Sequence, residues 1–183
     1  MNIPNILTLF RIALIPVIAV VFYLPWQHAH LASAIIFMVA AGTDWLDGYL
    51  ARKLDQSTPL GAFLDPVADK LMVAIALVLL TEEQTTFWFT LPAMIIIGRE
   101  IVISALREWM AELGERASVA VSYIGKVKTA MQMFSITVLL AFGSVDNDFL
   151  LGVGYCALYL AAALTLWSMV QYLKAAMPSL RKS

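Results

Sequence analysis

Six runs of about twenty residues, roughly 6–25, 31–50, 60–80, 87–106, 120–142 and 149–173, are apolar almost throughout. Crossing the hydrocarbon core of a bilayer takes about 20 such residues as a helix. Short polar or Pro-containing stretches separate the runs, among them Pro25, Pro59, 81–84 (TEEQ) and 143–148. A water-soluble core cannot absorb this much apolar sequence. Of 183 residues, 61% are hydrophobic and 14% charged, against roughly half and a quarter in a soluble domain. The expected fold class is therefore all-α and integral to a membrane, a bundle of six transmembrane helices forming one domain over 1–183. The six spans leave no room for a soluble domain. The start, MNIPNILTLFR, lacks the basic opening of a cleaved leader and reads as the beginning of the first mature span. Asn2 and Pro4 suit a helix start.

Basic residues orient membrane helices, because Lys and Arg stay on the cytoplasmic side. With the N-terminus inside, Arg11, Arg52, Lys53, Lys70, Arg107, Arg116, Lys126, Lys128, Lys174, Arg181 and Lys182 fall at cytoplasmic ends, and Arg99 in the cytoplasmic half of the fourth run. The outer loops hold no Lys or Arg. Both termini are thus expected in the cytoplasm. The net charge of −1 conceals this asymmetry. On the outer side, His28, His30, Glu82 and Glu83 read as solvated loop residues. The single Cys156 reads as a small buried hydrophobe that cannot form an internal disulfide.

The second and third runs meet through TDWLDGYLARKLDQSTPLGAFLDPVADK. Asp44, Asp47, Gly48 and Ala51 fall at i, i+3, i+4 and i+7, on one helical face, with Arg52 beside them. Gly61, Asp65 and Asp69 fall at i, i+4 and i+8 on one face of the next helix. The short loop makes the two helices expected antiparallel neighbours, so that four carboxylates converge. A carboxylate at the bilayer centre costs about 2.5–3.5 kcal/mol, and four sum to roughly 10 kcal/mol, less near the interface. Arg52, Lys53 and Lys70 alone are close in sequence to offset them. Divalent cations would remove the repulsion, and oxygen ligands suit Mg, Mn or Ca rather than Zn. The competing reading, solvated carboxylates at helix ends, suits Asp55 in the loop. It does not account for two single-faced stripes. Gly48, Ala51 and Gly61 can serve close helix packing or leave room for a ligand against backbone.

The pattern Asp44-x2-Asp47-Gly48-x2-Ala51-Arg52-x8-Gly61-x3-Asp65-x3-Asp69 resembles the full signature of the CDP-alcohol phosphatidyltransferase family. The segments NIPNILTLFRIALIP, TDWLDGYLAR, GREIVISALREWMAELG and YIGKVKTAMQM are similar to its bacterial branch acting on glycerol 3-phosphate. The resemblance implies six transmembrane helices, a cytoplasmic-side site and a homodimer in the bacterial inner membrane. It implies transfer of a phosphatidyl group from CDP-diacylglycerol to glycerol 3-phosphate, releasing CMP. Asp44, Asp47, Asp65 and Asp69 would ligate two divalent ions, Mg or Mn, and Asp69 would also be the general base. Gly48, Ala51, Arg52 and Gly61 would border the CDP moiety. Asn5, Thr8 and Arg11, an N-x2-T-x2-R stripe shared with the family, would lie near the nucleotide or phosphate; helix capping and topology compete with that reading.

Glycerol 3-phosphate is a small dianion and needs a positive pocket. Arg99, Arg107, Lys126 and Lys128 are its candidate lining, with Arg able to grip a phosphate through two N–H groups at once. For the two arginines the competing reading is an ion pair with Glu100 or Glu108; for the two lysines it is ordinary charge topology. Another alcohol acceptor, as in cardiolipin or inositol-phosphate lipid synthesis, stays open on the donor signature alone. A cation transporter would carry acidic residues along a path through the bilayer, whereas here they gather on one side.

Overall fold

In lipid every backbone N–H and C=O must bond within the protein, and a helix does this locally. Each apolar run accordingly forms one α-helix: α1 (Ile3–Phe22), α2 (Ala29–Leu54), α3 (Pro59–Gln84), α4 (Phe87–Glu112), α5 (Tyr123–Phe142) and α6 (Asp148–Leu180). This computed structural model describes residues 3–54, 58–112, 123–143 and 147–180; the side chains at 3, 4, 45, 47–52, 54, 59, 62, 123, 124, 126 and 178–180 lie outside the description. Local chemistry sets the helix ends. Thr58, in extended conformation, caps α3 by accepting the Gly61 N–H at 3.0 Å, with Pro59 entering the first turn. At the far end Thr85 adopts a left-handed conformation and its N–H returns to the Thr81 carbonyl. Asn147 opens α6, its side-chain oxygen accepting the Leu150 N–H at 3.2 Å.

Among the described residues three helices contain stretches long and apolar enough to cross a membrane: Asn5–Phe22, Phe87–Glu112 and Asp148–Met177. The apolar stretches of α2 and α5, Ala29–Asp44 and Val127–Phe142, are shorter. In α2 and α3 the acidic residues interrupt the apolar run. The acidic stripes are what shorten the apolar length.

The interior of the bundle carries polar side chains, and its exterior is apolar. Asn5, Thr8, Arg11, Arg99, Lys128, Gln132, Ser135, Thr165 and Ser168 are buried, while Phe63, Trp88, Met94, Ile101 and Phe149 face outward. An apolar exterior of this extent is surface for lipid or partner protein. The central core of Ile18, Phe37, Met72, Leu77, Leu80, Phe89, Ile96, Ile136, Leu139 and Leu158 lies between.

Packing departs from the sequence expectation at one point. Among the described residues α2 and α3 make little direct contact, and α1 packs along both, with Arg11 on Asp44 and Thr8 on Asp65. A short connection fixes antiparallel direction and not contact, and the third helix has taken the seam. α5 packs most extensively on α6 and also on α2, and α4 packs on α6.

The outer end corrects two expectations. His30 and Glu83 are not solvated loop residues. His30 Nδ1 lies 3.5 Å from Glu83 Oε1, and its ring meets Phe22 edge-on at 4.8 Å. The start of α2 and the end of α3 come together there, and Tyr23 bonds Glu82 beside them. Cys156 is exposed rather than buried, because it falls on the outward face of α6, where lipid would take the place of core.

Gly154 sets the closeness of α5 and α6. A Cβ there would stand 2.6 Å from Leu139 Cδ2, and Ser135 Oγ donates to the Gly154 carbonyl at 2.8 Å. Leu139 is fully buried and cannot swing away. Gly154→Val should lower the unfolding temperature of the detergent-solubilised protein, costing about 1–3 kcal/mol. Gly152→Ala, where a Cβ meets open space, should leave it unchanged; equal shifts in both would reject this account of the seam.

Candidate active site

The polar residues of α1 lie three apart, so they share one face of the helix. Each reaches a different partner. Asn5 Oδ1 accepts the Thr58 hydroxyl at 2.8 Å. Thr8 Oγ1 donates to Asp65 Oδ1 at 2.5 Å. Arg11 Nη1 donates to Asp44 Oδ1 at 2.7 Å. Arg11 and Thr8 are wholly buried, whereas the Asp44 side chain is 44% exposed. α1 therefore bolts the end of α2 to the start of α3, and holds two signature carboxylates from behind while leaving Asp44 open in front. Gly61 completes the bolt: a Cβ there would come within 2.7 Å of Asn5 Oδ1, so a larger residue would push Asn5 against its bond to Thr58.

Asp69 lies one helical turn beyond Asp65 and is partly buried. The donor chemistry suits a hard divalent cation, since Asp44, Asp65 and Asp69 offer oxygen and no His or Cys intervenes. Bonds from Arg11 and Thr8 to the carboxylates would give such ligands their outer support. The described residues hold no group of three acidic, His or Cys side chains close enough to enclose an ion. The side chains of Asp47, Ala51 and Arg52, and any structure at Gly48 beyond its place in α2, lie outside the described residues.

A second polar cluster stands where α4, α5 and α6 meet. Glu100 Oε1 accepts both Arg99 Nη1 at 3.0 Å and Lys128 Nζ at 2.7 Å. Arg99 Nη2 donates to Ser168 Oγ at 3.1 Å, and its guanidinium carbon lies 5.4 Å from the centre of the Tyr172 ring. The ion pair weighed for Arg99 thus exists, and it also enlists Lys128. Arg107 is exposed near the end of α4 and is not brought into this cluster. Lys126 has no described side chain. Sequence reasoning missed Ser168 and Tyr172 altogether; Thr165, Ser168 and Tyr172 share a face at i, i+3 and i+7, a faint polar stripe within an apolar helix.

The chain belongs to the CDP-alcohol phosphatidyltransferase family, whose sequence profile matches residues 1–167. It is similar to a Salmonella choleraesuis protein named CDP-diacylglycerol–glycerol-3-phosphate 3-phosphatidyltransferase, 59% identical over 175 residues, 96% of this chain and 94% of the relative. Proteins of the same name from Sodalis glossinidius and Pseudomonas fluorescens are 58% and 57% identical, over 96% and 99% of this chain and 95% and 93% of the relatives.

The Thr8 hydroxyl is a direct test of the bolt. Thr8→Val should lower phosphatidyltransferase activity about 10–100-fold, the usual loss when an outer support of a ligand is removed. Thr8→Ser, which keeps the hydroxyl, should retain most of it. Unchanged activity in Thr8→Val would mean that Asp65 needs no such hold.

Proposed function

We propose that this chain transfers the phosphatidyl group of CDP-diacylglycerol to glycerol 3-phosphate, forming phosphatidylglycerophosphate and CMP. The observation that carries the reading is the hold that α1 keeps on two signature carboxylates, Arg11 on Asp44 at 2.7 Å and Thr8 on Asp65 at 2.5 Å, with Asp69 one turn beyond Asp65 on α3. A base beside such a site is what the reaction requires.

On the donor side, Asp44, Asp47, Asp65 and Asp69 would hold two divalent ions, Mg or Mn, which when bound neutralise phosphate charge and align the attacking and leaving oxygens. Gly48, Ala51, Arg52 and Gly61 border the CDP moiety in this reading. Asn5, Thr8 and Arg11 act mainly by orienting what the substrate meets, given the partners they already have. On the acceptor side, Arg99 and Lys128 receive the phosphate of glycerol 3-phosphate. Its hydroxyl gives its proton to the Asp69 carboxylate within hydrogen-bond reach. The oxygen forms a bond to the phosphatidyl phosphorus as the bond from that phosphorus to CMP breaks.

The chain is a membrane protein. We place it in the bacterial inner membrane as a multi-pass, six-span homodimer with both termini and the site facing the cytoplasm. The site end carries Arg11, Lys70, Arg99 and Lys128, in keeping with the retention of basic residues inside. The resemblance to the family supports the dimer. A site at this level lets the donor keep its acyl chains in the bilayer and its nucleotide in water.

Two measurements test the proposal. Purified protein given CDP-diacylglycerol and a panel of alcohols should release CMP with glycerol 3-phosphate, and only when Mg or Mn is supplied; no product from glycerol 3-phosphate would sink the acceptor assignment. Asp69→Asn should fold normally yet lose about 10²–10⁴-fold in turnover, the usual contribution of a general base. Near-normal turnover would take that role from Asp69.

A further inference from the structure

A buried arginine meant to receive a phosphate must be held still without having its donors used up. Arg99 is nine-tenths buried, with 9% of its surface exposed. Guanidinium carries five N–H donors. Two bonds are made, to Glu100 and Ser168, and Nε is buried with no hydrogen-bond partner among the described residues. Buried donors of this kind are rare in folded proteins unless something else completes them.

The hold on Arg99 comes largely from α6. Ser168 is itself fixed: its hydroxyl donates to the Thr165 carbonyl at 2.9 Å, which leaves its oxygen lone pairs for Arg99. The Tyr172 ring supports the cation by its π face. Thr165 Oγ1, wholly buried on the same stripe, also has no partner among the described residues. The geometry points to Ser168 and Tyr172 as positioning residues for acceptor recognition. They fix the plane of the Arg99 guanidinium so that its remaining donors face an incoming phosphate monoester. This inference rests on the reading of Arg99 as the phosphate group's partner.

The test is a steady-state comparison of Ser168→Ala, Ser168→Thr, Tyr172→Leu, Tyr172→Phe and Arg99→Lys in the purified full-length enzyme, with KM measured separately for each substrate. Ser168→Ala should raise KM for glycerol 3-phosphate about tenfold, as expected for a hydrogen bond to a charged group. Tyr172→Leu should raise it several-fold, in line with a partly desolvated cation–π contact. KM for CDP-diacylglycerol should stay constant in both. Ser168→Thr and Tyr172→Phe should rescue, since each keeps the interacting group. Equal losses for both substrates, a fall in thermal stability alone, or no change would overturn the inference. Arg99→Lys separates the two layers. If it leaves KM for glycerol 3-phosphate unchanged, the reading of Arg99 itself fails. If it raises that KM while Ser168→Ala and Tyr172→Leu do not, only the positioning role fails.

Discussion

A charge inside an apolar bundle must find its partner inside the bundle, and the arrangement of this protein follows from that requirement. Arg11 is wholly buried in α1 and bonds Asp44 at 2.7 Å. Removing one member of a buried pair typically costs about 3–5 kcal/mol, because the other is left uncompensated. Asp44 is partly open, so this pair lies toward the lower end, yet the direction is fixed. Pairing Arg11 with Asp44, Thr8 with Asp65 and Asn5 with Thr58 leaves α1 one position from which all three bonds can be made. That position is between α2 and α3.

The second cluster obeys the same rule with different members. Arg99 and Lys128 come from α4 and α5, and a single oxygen of Glu100 serves both. One carboxylate between two cations leaves a net positive charge. The aspartate side is the reverse: Arg11 pairs with Asp44, Asp65 is held by the neutral Thr8, and Asp69 stands one turn further along α3. The two ends of the active region thus carry opposite excess charge, negative where cations are expected and positive where a phosphate is expected.

The helices and the aspartate stripes were legible in the sequence because they are local. Period and spacing within one helix depend only on that helix. The stripe of Asn5, Thr8 and Arg11 was legible as a stripe, but its partners were not. Loop length suggested that α2 would lie on α3, and nothing in the sequence says that α1 enters the seam. The same limit hid the His30–Glu83 pair, whose members are 53 positions apart and read singly as solvated. Cys156 was assigned to a core by its apolar neighbours, although in a membrane an apolar neighbourhood marks the lipid face equally well. Arg99 and Lys128 stood out because a basic residue in an apolar run is costly. Ser168 and Tyr172 did not, since a hydroxyl in such a run is common and cheap when it bonds its own helix.

That difference in cost explains the division of labour in the bundle. Expensive groups, the aspartates, Arg99 and Lys128, stand where the proposed reaction would have substrate charge to meet. Inexpensive hydroxyls orient two of them, Thr8 on Asp65 and Ser168 on Arg99. A hydroxyl can donate and accept at once, so Ser168 anchors to its own backbone through its proton while holding Arg99 through its oxygen. A carboxylate in its place would bind Arg99 more strongly, but it would cancel the positive excess that a phosphate needs. The neutral residue holds the cation without competing with the anion.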